Sequence, residues 1–251
     1  MDLGLADRVY LVTGGVRGLG RATVDVLVAE GAWVVISGRS AETLAAVASA
    51  LGDYASYVVA DNADPMTPAR LLHEARSRWG RIDGALVSVG GPPAGSLAET
   101  TDEQWTAAFE AVFLGAVRLV RELSAALDEG GSIALVLSTS AKVPLGEMAV
   151  SNGLRPGLAM LTKQLADEIG PRGIRVNGLL PARIATERVA ELDARGGDPE
   201  AARASAVQSI ALRRQGEPSE FGRAAAFLLS PAASFITGAM LPVDGGHLRS
   251  L

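Results

Sequence analysis

RVYLVTGGVRGLG, residues Arg8 to Gly20, is the stretch on which the fold turns. Val9, Leu11 and Val12 form a short apolar run rich in β-branched side chains, as in a strand buried on both faces of a parallel sheet. Gly14, Gly15, Gly18 and Gly20 follow, and the next stretch, ATVDVLVAEG, predicts a helix. Strand, glycine turn and helix together make an anion cradle. Glycine lets the backbone approach a diphosphate, and the helix start offers free N–H groups at the positive end of its dipole. Such glycines are often no more than turn residues. What raises these above that reading is their place at the head of a chain that alternates strand and helix.

The alternation continues outward from there. Segments 32–37, 56–60, 82–89, 132–138, 174–180 and 240–243 read as further strands. Helices are predicted over 41–51, 65–79, 101–127, 149–169 and 217–230, with Gly80 after the second and Thr101 or Asp102 capping the third. Residues 184–214 are polar and broken by Gly196, Gly197 and Pro199, which predicts short helices joined by loops. The pattern predicts an α/β chain: one Rossmann-type domain over 1–251, a doubly wound parallel sheet of about seven strands with helices on both faces.

Composition removes several function classes. The chain has 251 residues, 48% hydrophobic, with no cysteine and a net charge of −5. Cysteine-based metal sites, thiol nucleophiles and disulfides are excluded, and no metal site is expected. The absence of a basic block argues against nucleic acid, and no apolar run is long enough to cross a membrane. MDLGLADR lacks the pattern of a secretory signal, so a cytoplasmic location is expected. Of the two histidines, His73 and His247, the first lies among charges in a helix and reads as a solvated surface residue. Tyr10, Tyr54 and Tyr57 lie on or beside strands and read as packing residues.

In a doubly wound sheet the end of the second strand meets the adenosine ribose. An acid there bonds the 2′-hydroxyl of NAD, whereas arginine accommodates the 2′-phosphate of NADP. Here the strand ends in SGRS, Ser37 to Ser40, with no acid. Arg39, together with Arg17 in the glycine turn, offers fork-shaped donors for a phosphate. NADP(H) is therefore expected over NAD(H); the plainer alternative is two surface arginines.

At this point the chain resembles the short-chain dehydrogenase/reductase family, especially its 3-oxoacyl-carrier-protein reductase-like members. The signature TGxxxGxG stands as Thr13-Gly14-Gly15-Val16-Arg17-Gly18-Leu19-Gly20, and RVNGLLPARIAT, Arg175 to Thr186, is similar to the family's RVNxVxPGxxxT. The end, Ser230 to Gly246, carries the family's TG and VDGG pairs. The resemblance implies cofactor contacts from the glycine turn, from Asp61 with Asn62, from Gly90, and from Pro181, Ile184 and Thr186. It also implies a homodimer or homotetramer built on the long helices.

The family's Asn–Ser–Tyr–Lys set is matched only at its serine, Ser138. Ser151 stands where the tyrosine belongs and Arg155 where the lysine belongs, in VSNGLRPG; Val112 replaces the asparagine. Serine is a far poorer proton donor than a phenol, and arginine does not share a proton as lysine does. Ser151 and Arg155 still share a helix face. Ser138, Ser140 and Ser151 are expected to cluster around a carbonyl oxygen, with water as proton source, and Asn152 adds a donor if it faces inward. Arg155 is left to bind the cofactor ribose or to pair with a carboxylate or phosphate of the substrate.

Residues 90–95 (GGPPAG) lie where ligands bind, and 184–214 take the place of a substrate lid. Arg183, Arg188 and Lys142 are candidates for positive charge at the mouth. The expectation is reduction of a ketone or 3-oxoacyl-like carbonyl. The alternatives are a non-redox isomerase, dehydratase or cyclase, or a silent NADP-binding partner subunit.

Overall fold

Every residue of β1 (Val9–Thr13) is buried, and alternate side chains leave it on opposite sides of the sheet. Val9 and Leu11 enter one apolar cluster, Tyr10 and Val12 the other. The computed structural model describes residues 2–195 and 197–250. Met1, Gly196 and Leu251 fall outside them, so of the expected Gly196–Gly197 break only Gly197 is described.

The remaining strands are β2 (Trp33–Gly38), β3 (Ala55–Val59), β4 (Gly84–Val87), β5 (Ser132–Val136), β6 (Arg175–Pro181) and β7 (Met240–Val243). They form one parallel sheet of 7 strands in the order β3-β2-β1-β4-β5-β6-β7. From β1 the chain steps outward through β2 and β3, then returns to β4 and runs the other way. That reversal opens a crevice beyond the carboxyl ends of β1 and β4, where such sheets bind ligands.

The helices are α1 (Gly18–Ala29), α2 (Ala41–Leu51), α3 (Thr67–Trp79), α4 (Asp102–Ala108), α5 (Gly115–Ala126), α6 (Ala149–Ile169), α7 (Glu187–Ala194), α8 (Pro199–Val207) and α9 (Pro218–Leu229). One face of the sheet is covered through Val24, Leu27, Leu44, Val47, Phe221 and Ala225, from α1, α2 and α9. The other is covered through Leu71, Ala108, Leu119, Leu123, Leu154 and Leu158, from α3 to α6. This is the single-domain α/β architecture expected. Among the described residues no helix is long and apolar enough to cross a membrane.

Three details depart from expectation. The helix expected over 101–127 begins as foreseen, with Thr101 and Gln104 in a reciprocal capping box, but a π-helical turn, Phe109–Leu114, separates α4 from α5. Immediately after it Gly115 presses on the 61–63 loop; a Cβ there would lie 2.3 Å from the Asn62 carbonyl oxygen. β4 is shorter than 82–89 because the Ser88 N–H bonds the Thr13 hydroxyl at 2.8 Å and leaves the ladder. Of the tyrosines only Tyr10 is core. Tyr54 and Tyr57 are 45% and 39% exposed, at the sheet's outer edge where β3 has no further strand beside it.

Candidate active site

β1 ends under a tight clasp. The Thr13 hydroxyl donates to the Ser88 carbonyl at 2.6 Å and accepts from the Ser88 N–H. Thr13 is fully buried, its hydroxyl engaged both as donor and as acceptor by Ser88. It was expected to touch the cofactor; instead it holds the turn above it. Gly14 then adopts φ +63° and Gly18 φ +55°. A Cβ on Gly20 would lie 2.3 Å from the Gly14 carbonyl oxygen, so only glycine lets α1 start this close to the turn. No side chain caps α1 and its first turn holds no acid. Its leading N–H groups and positive dipole end are therefore available to an anion. An uncapped helix start behind a turn that a Cβ would fill fits a dinucleotide's diphosphate. Leu19 offers backbone only, since its side chain packs on the core.

The loops at the same sheet edge gather round this turn. Arg17 and Arg39 are exposed and form no ion pair among the described residues. Ser40, beside Arg39, caps α2 through Thr43. After β3, the Asp61 carboxylate accepts from the Ala63 N–H at 2.9 Å, and the Asp61 carbonyl accepts from Thr67 at 2.6 Å. Arg118 donates to the Ala63 carbonyl at 2.9 Å, so the Asp61–Asn62 turn is clamped from both α3 and α5. Past Pro181, which ends β6, Ile184 is buried and bridges to Gly216. Thr186 leads into α7, its Cγ2 3.6 Å from the point a Cβ on Gly18 would occupy. Gly18, Thr186, Glu187 and Pro218 line part of a cleft of about 420 Å³.

Ser138, Ser140 and Ser151 are linked by two contacts, one of them between hydroxyls. Ser138 stands in extended backbone just past β5 and accepts from the Ser140 N–H at 3.1 Å. Ser140 and Ser151 are buried and their hydroxyls lie 2.9 Å apart. One turn further along α6, Arg155 donates from Nη1 to the Val136 carbonyl at 2.6 Å. Arg155 is 4% exposed, and its Nε meets no acceptor among the described residues. Burial alone pushes its pKa down to about 10, so it stays a cation at neutral pH. Asn152 turns the other way and adds no donor to the cluster. Its amide clasps Leu145, accepting from the N–H at 3.0 Å and donating to the carbonyl at 2.8 Å.

The mouth is strapped. Gly90 is exposed, and Gly95 bonds the chain ahead of α6 through Glu147 and Ala149. Arg188 donates to the Pro92 carbonyl at 2.7 Å and Arg195 to the Ala94 carbonyl at 2.9 Å. The Arg188 guanidinium lies over Gly91, where a Cβ would come 2.9 Å from its Nε. Arg183, expected as free charge at the mouth, is ion-paired with the buried Asp193 of α7. Arg188 is likewise engaged, and Lys142 is exposed. Sequence reasoning missed Asp193, whose spacing carries no motif, and the use of Arg188 and Arg195 as ties to backbone carbonyls. His73 is exposed and hydrogen-bonds Ser77, and His247 meets Ser209. Among the described residues no group of His, Asp and Glu is placed to hold a metal.

Comparison with known proteins matches this geometry. The family model described as enoyl-(acyl carrier protein) reductase matches residues 14–247. An uncharacterised oxidoreductase of Mycobacterium tuberculosis is 35% identical over 252 residues, covering 96% of this chain and 92% of its own length. A 2,5-dichloro-2,5-cyclohexadiene-1,4-diol dehydrogenase of Sphingobium indicum is 34% identical over 247 residues, 96% of this chain and 97% of its own. The structure of L-sorbose reductase from Gluconobacter frateurii, complexed with NADPH and L-sorbose, superposes with a TM-score of 0.93 at 29% identity, covering 100% of both chains. The glycine turn, the sheet order and this whole-length similarity agree: the chain belongs to the short-chain dehydrogenase/reductase family of NAD(P)-using oxidoreductases.

Proposed function

We propose that the protein is an NADP(H)-dependent carbonyl reductase working through an atypical, donor-only site. The observation that carries this reading is the placing of the Ser138–Ser140–Ser151–Arg155 cluster on the same sheet edge as the uncapped glycine turn. Gly14, Gly18, Leu19 and Gly20 would hold the diphosphate through backbone N–H groups, and Arg17 and Arg39 the 2′-phosphate. Asp61 and Asn62 would border the adenine; Gly90, Pro181, Ile184 and Thr186 would border the nicotinamide. When bound, that cofactor supplies hydride. Ser138 then holds the carbonyl oxygen of a small ketone or 3-oxoacyl-like substrate. Ser151, relayed through Ser140, or a water molecule delivers the proton, since no phenol reaches the cluster. Arg155 supplies a buried positive charge to the same cluster, to bind the cofactor ribose or to pair with a carboxylate or phosphate of the substrate. Residues 184–214 act as the lid. Phe109, Met160 and Leu161, 42%, 70% and 37% exposed on the long helical segments, support self-association into a homodimer or homotetramer. A cytoplasmic location agrees with all of this.

The test is a fluorescence titration with NADPH and NADH, followed by NADPH absorbance with a panel of ketones. Wild type consumes NADPH, and Ser138→Ala loses about 10²-fold in kcat, the size expected when one oxyanion donor is removed. Arg39→Asp weakens NADPH far more than NADH. Substrate conversion without NADPH consumption points to a non-redox enzyme, and binding with neither to a silent subunit.

A further inference from the structure

Two arginines are buried in this molecule at similar depth, and only one of them is satisfied. Arg175 is 7% exposed and donates to three backbone carbonyls: Leu228 at 2.8 Å, Ser230 at 2.9 Å and Ile236 at 3.3 Å. Arg155 is 4% exposed and donates to one, from Nη1. Its Nε is orphaned, Nη2 has no acceptor among the described residues, and no carboxylate pairs with it. A guanidinium bonded through Nη1 alone leaves its Nε–Nη2 edge free. That edge carries two parallel N–H bonds, the fork that matches both oxygens of one carboxylate. Ser151, one turn back on the same side of α6, and Ser140, in the turn after β5, add hydroxyl groups and no negative charge. An isolated buried cation costs several kcal/mol unless it is paired. Among the described residues the chain supplies no acceptor for that edge.

We infer that the free edge of Arg155 takes the carboxylate of an oxo-acid substrate, leaving its ketone oxygen to Ser138 and the Ser140–Ser151 pair. This assignment rests on the carbonyl-reductase reading above. It also separates the two roles left open for Arg155, because a fork closed on a substrate carboxylate is not free to hold the cofactor ribose.

The experiment compares short oxo acids (pyruvate, acetoacetate, levulinate) with their methyl esters, which keep the ketone and lose the charge. In wild type at least one acid should exceed its ester by about 10- to 100-fold in kcat/KM, the range of a charge-assisted pair. Arg155→Met should erase that preference while NADPH affinity, read by fluorescence, stays within about threefold. Arg155→Lys keeps the charge without the fork and should retain only part of the preference. Calorimetric titration of cofactor-free wild type with the preferred acid should show saturable binding that its ester lacks. Equal use of acid and ester, a preference that survives in Arg155→Met, or a loss of NADPH affinity with no change in preference would each overturn the assignment. Should Arg155→Met fail to fold, the wild-type acid-to-ester ratio and Arg155→Lys decide. If NADPH does not bind, the reductase reading falls by itself, and the calorimetry still judges the fork.

Discussion

The two edges of the sheet treat buried polar groups in opposite ways. At the amino edge every buried side-chain polar atom of the described residues has a partner. Asp83, just before β4, accepts from Arg8, from Arg81 and from the Val9 N–H. The last carbonyls of α9, which have no partner within the helix, are met by Tyr10, Ser132 and Arg175. Arg175 also brings positive charge to the negative end of that helix dipole. At the carboxyl edge the pairing is incomplete. The buried side-chain atoms with no partner among the described residues belong to Arg155, Arg183, Asp193 and Gln215, all beside the ends of β5 and β6. One edge is finished by the chain itself; the other keeps buried polar atoms that the described residues do not pair.

That contrast predicts where stability and function separate. The largest effect on folding is expected at the amino edge. Arg175→Met removes three charge-assisted hydrogen bonds and leaves the Leu228 carbonyl without a donor, while Ile236 keeps Asn177 and Ser230 keeps Ala233; it should cost about 3–5 kcal/mol in a urea titration, with cofactor affinity unchanged in the folded fraction. Arg155→Met, which removes an unpaired charge and one hydrogen bond, should stay within about 1–2 kcal/mol of wild type. If the two cost the same, the contrast between edges fails. Gly20→Ala should act mainly on the ligand side. With a carbonyl oxygen 2.3 Å from the new Cβ, the turn must open, and NADPH affinity should fall at least about 10-fold in fluorescence titration. Replacing Arg183 and Asp193 together by leucine removes a buried ion pair that is only partly hydrogen-bonded. The melting temperature should hold or rise while KM increases, because the tie between α7 and the end of β6 is gone. Glu220→Gln should be the smallest change. Its carboxyl is held down to about 2 by the Arg214 guanidinium and by the Glu217 N–H. A lowered pKa stabilises the folded state above the ordinary carboxylate range and loses that effect as pH falls through about 2. Wild type and Glu220→Gln melting curves should therefore converge in acid, and the gap at neutral pH should shrink with salt because the pair is exposed.

Much was determined by the sequence alone. Local composition sufficed for the elements: the helices at Ala41–Leu51 and Ala149–Ile169 and the strand at Met240–Val243 lie where their apolar spacing and punctuation put them. The glycine turn declared its own geometry, because positive φ and close approach admit little else. What only the tertiary structure decided depends on contacts between distant segments. Thr13 reads as a ligand residue until Ser88 is seen to engage its hydroxyl, and Asn152 as a site donor until Leu145 takes both ends of its amide. Arg183 reads as free charge until Asp193 meets it. Spacing along a helix places Ser151 and Arg155 on one face, but it says nothing of what that face meets. A hydrogen bond or an uncompensated charge is a property of two or more segments at once, and no single segment carries the partner's address.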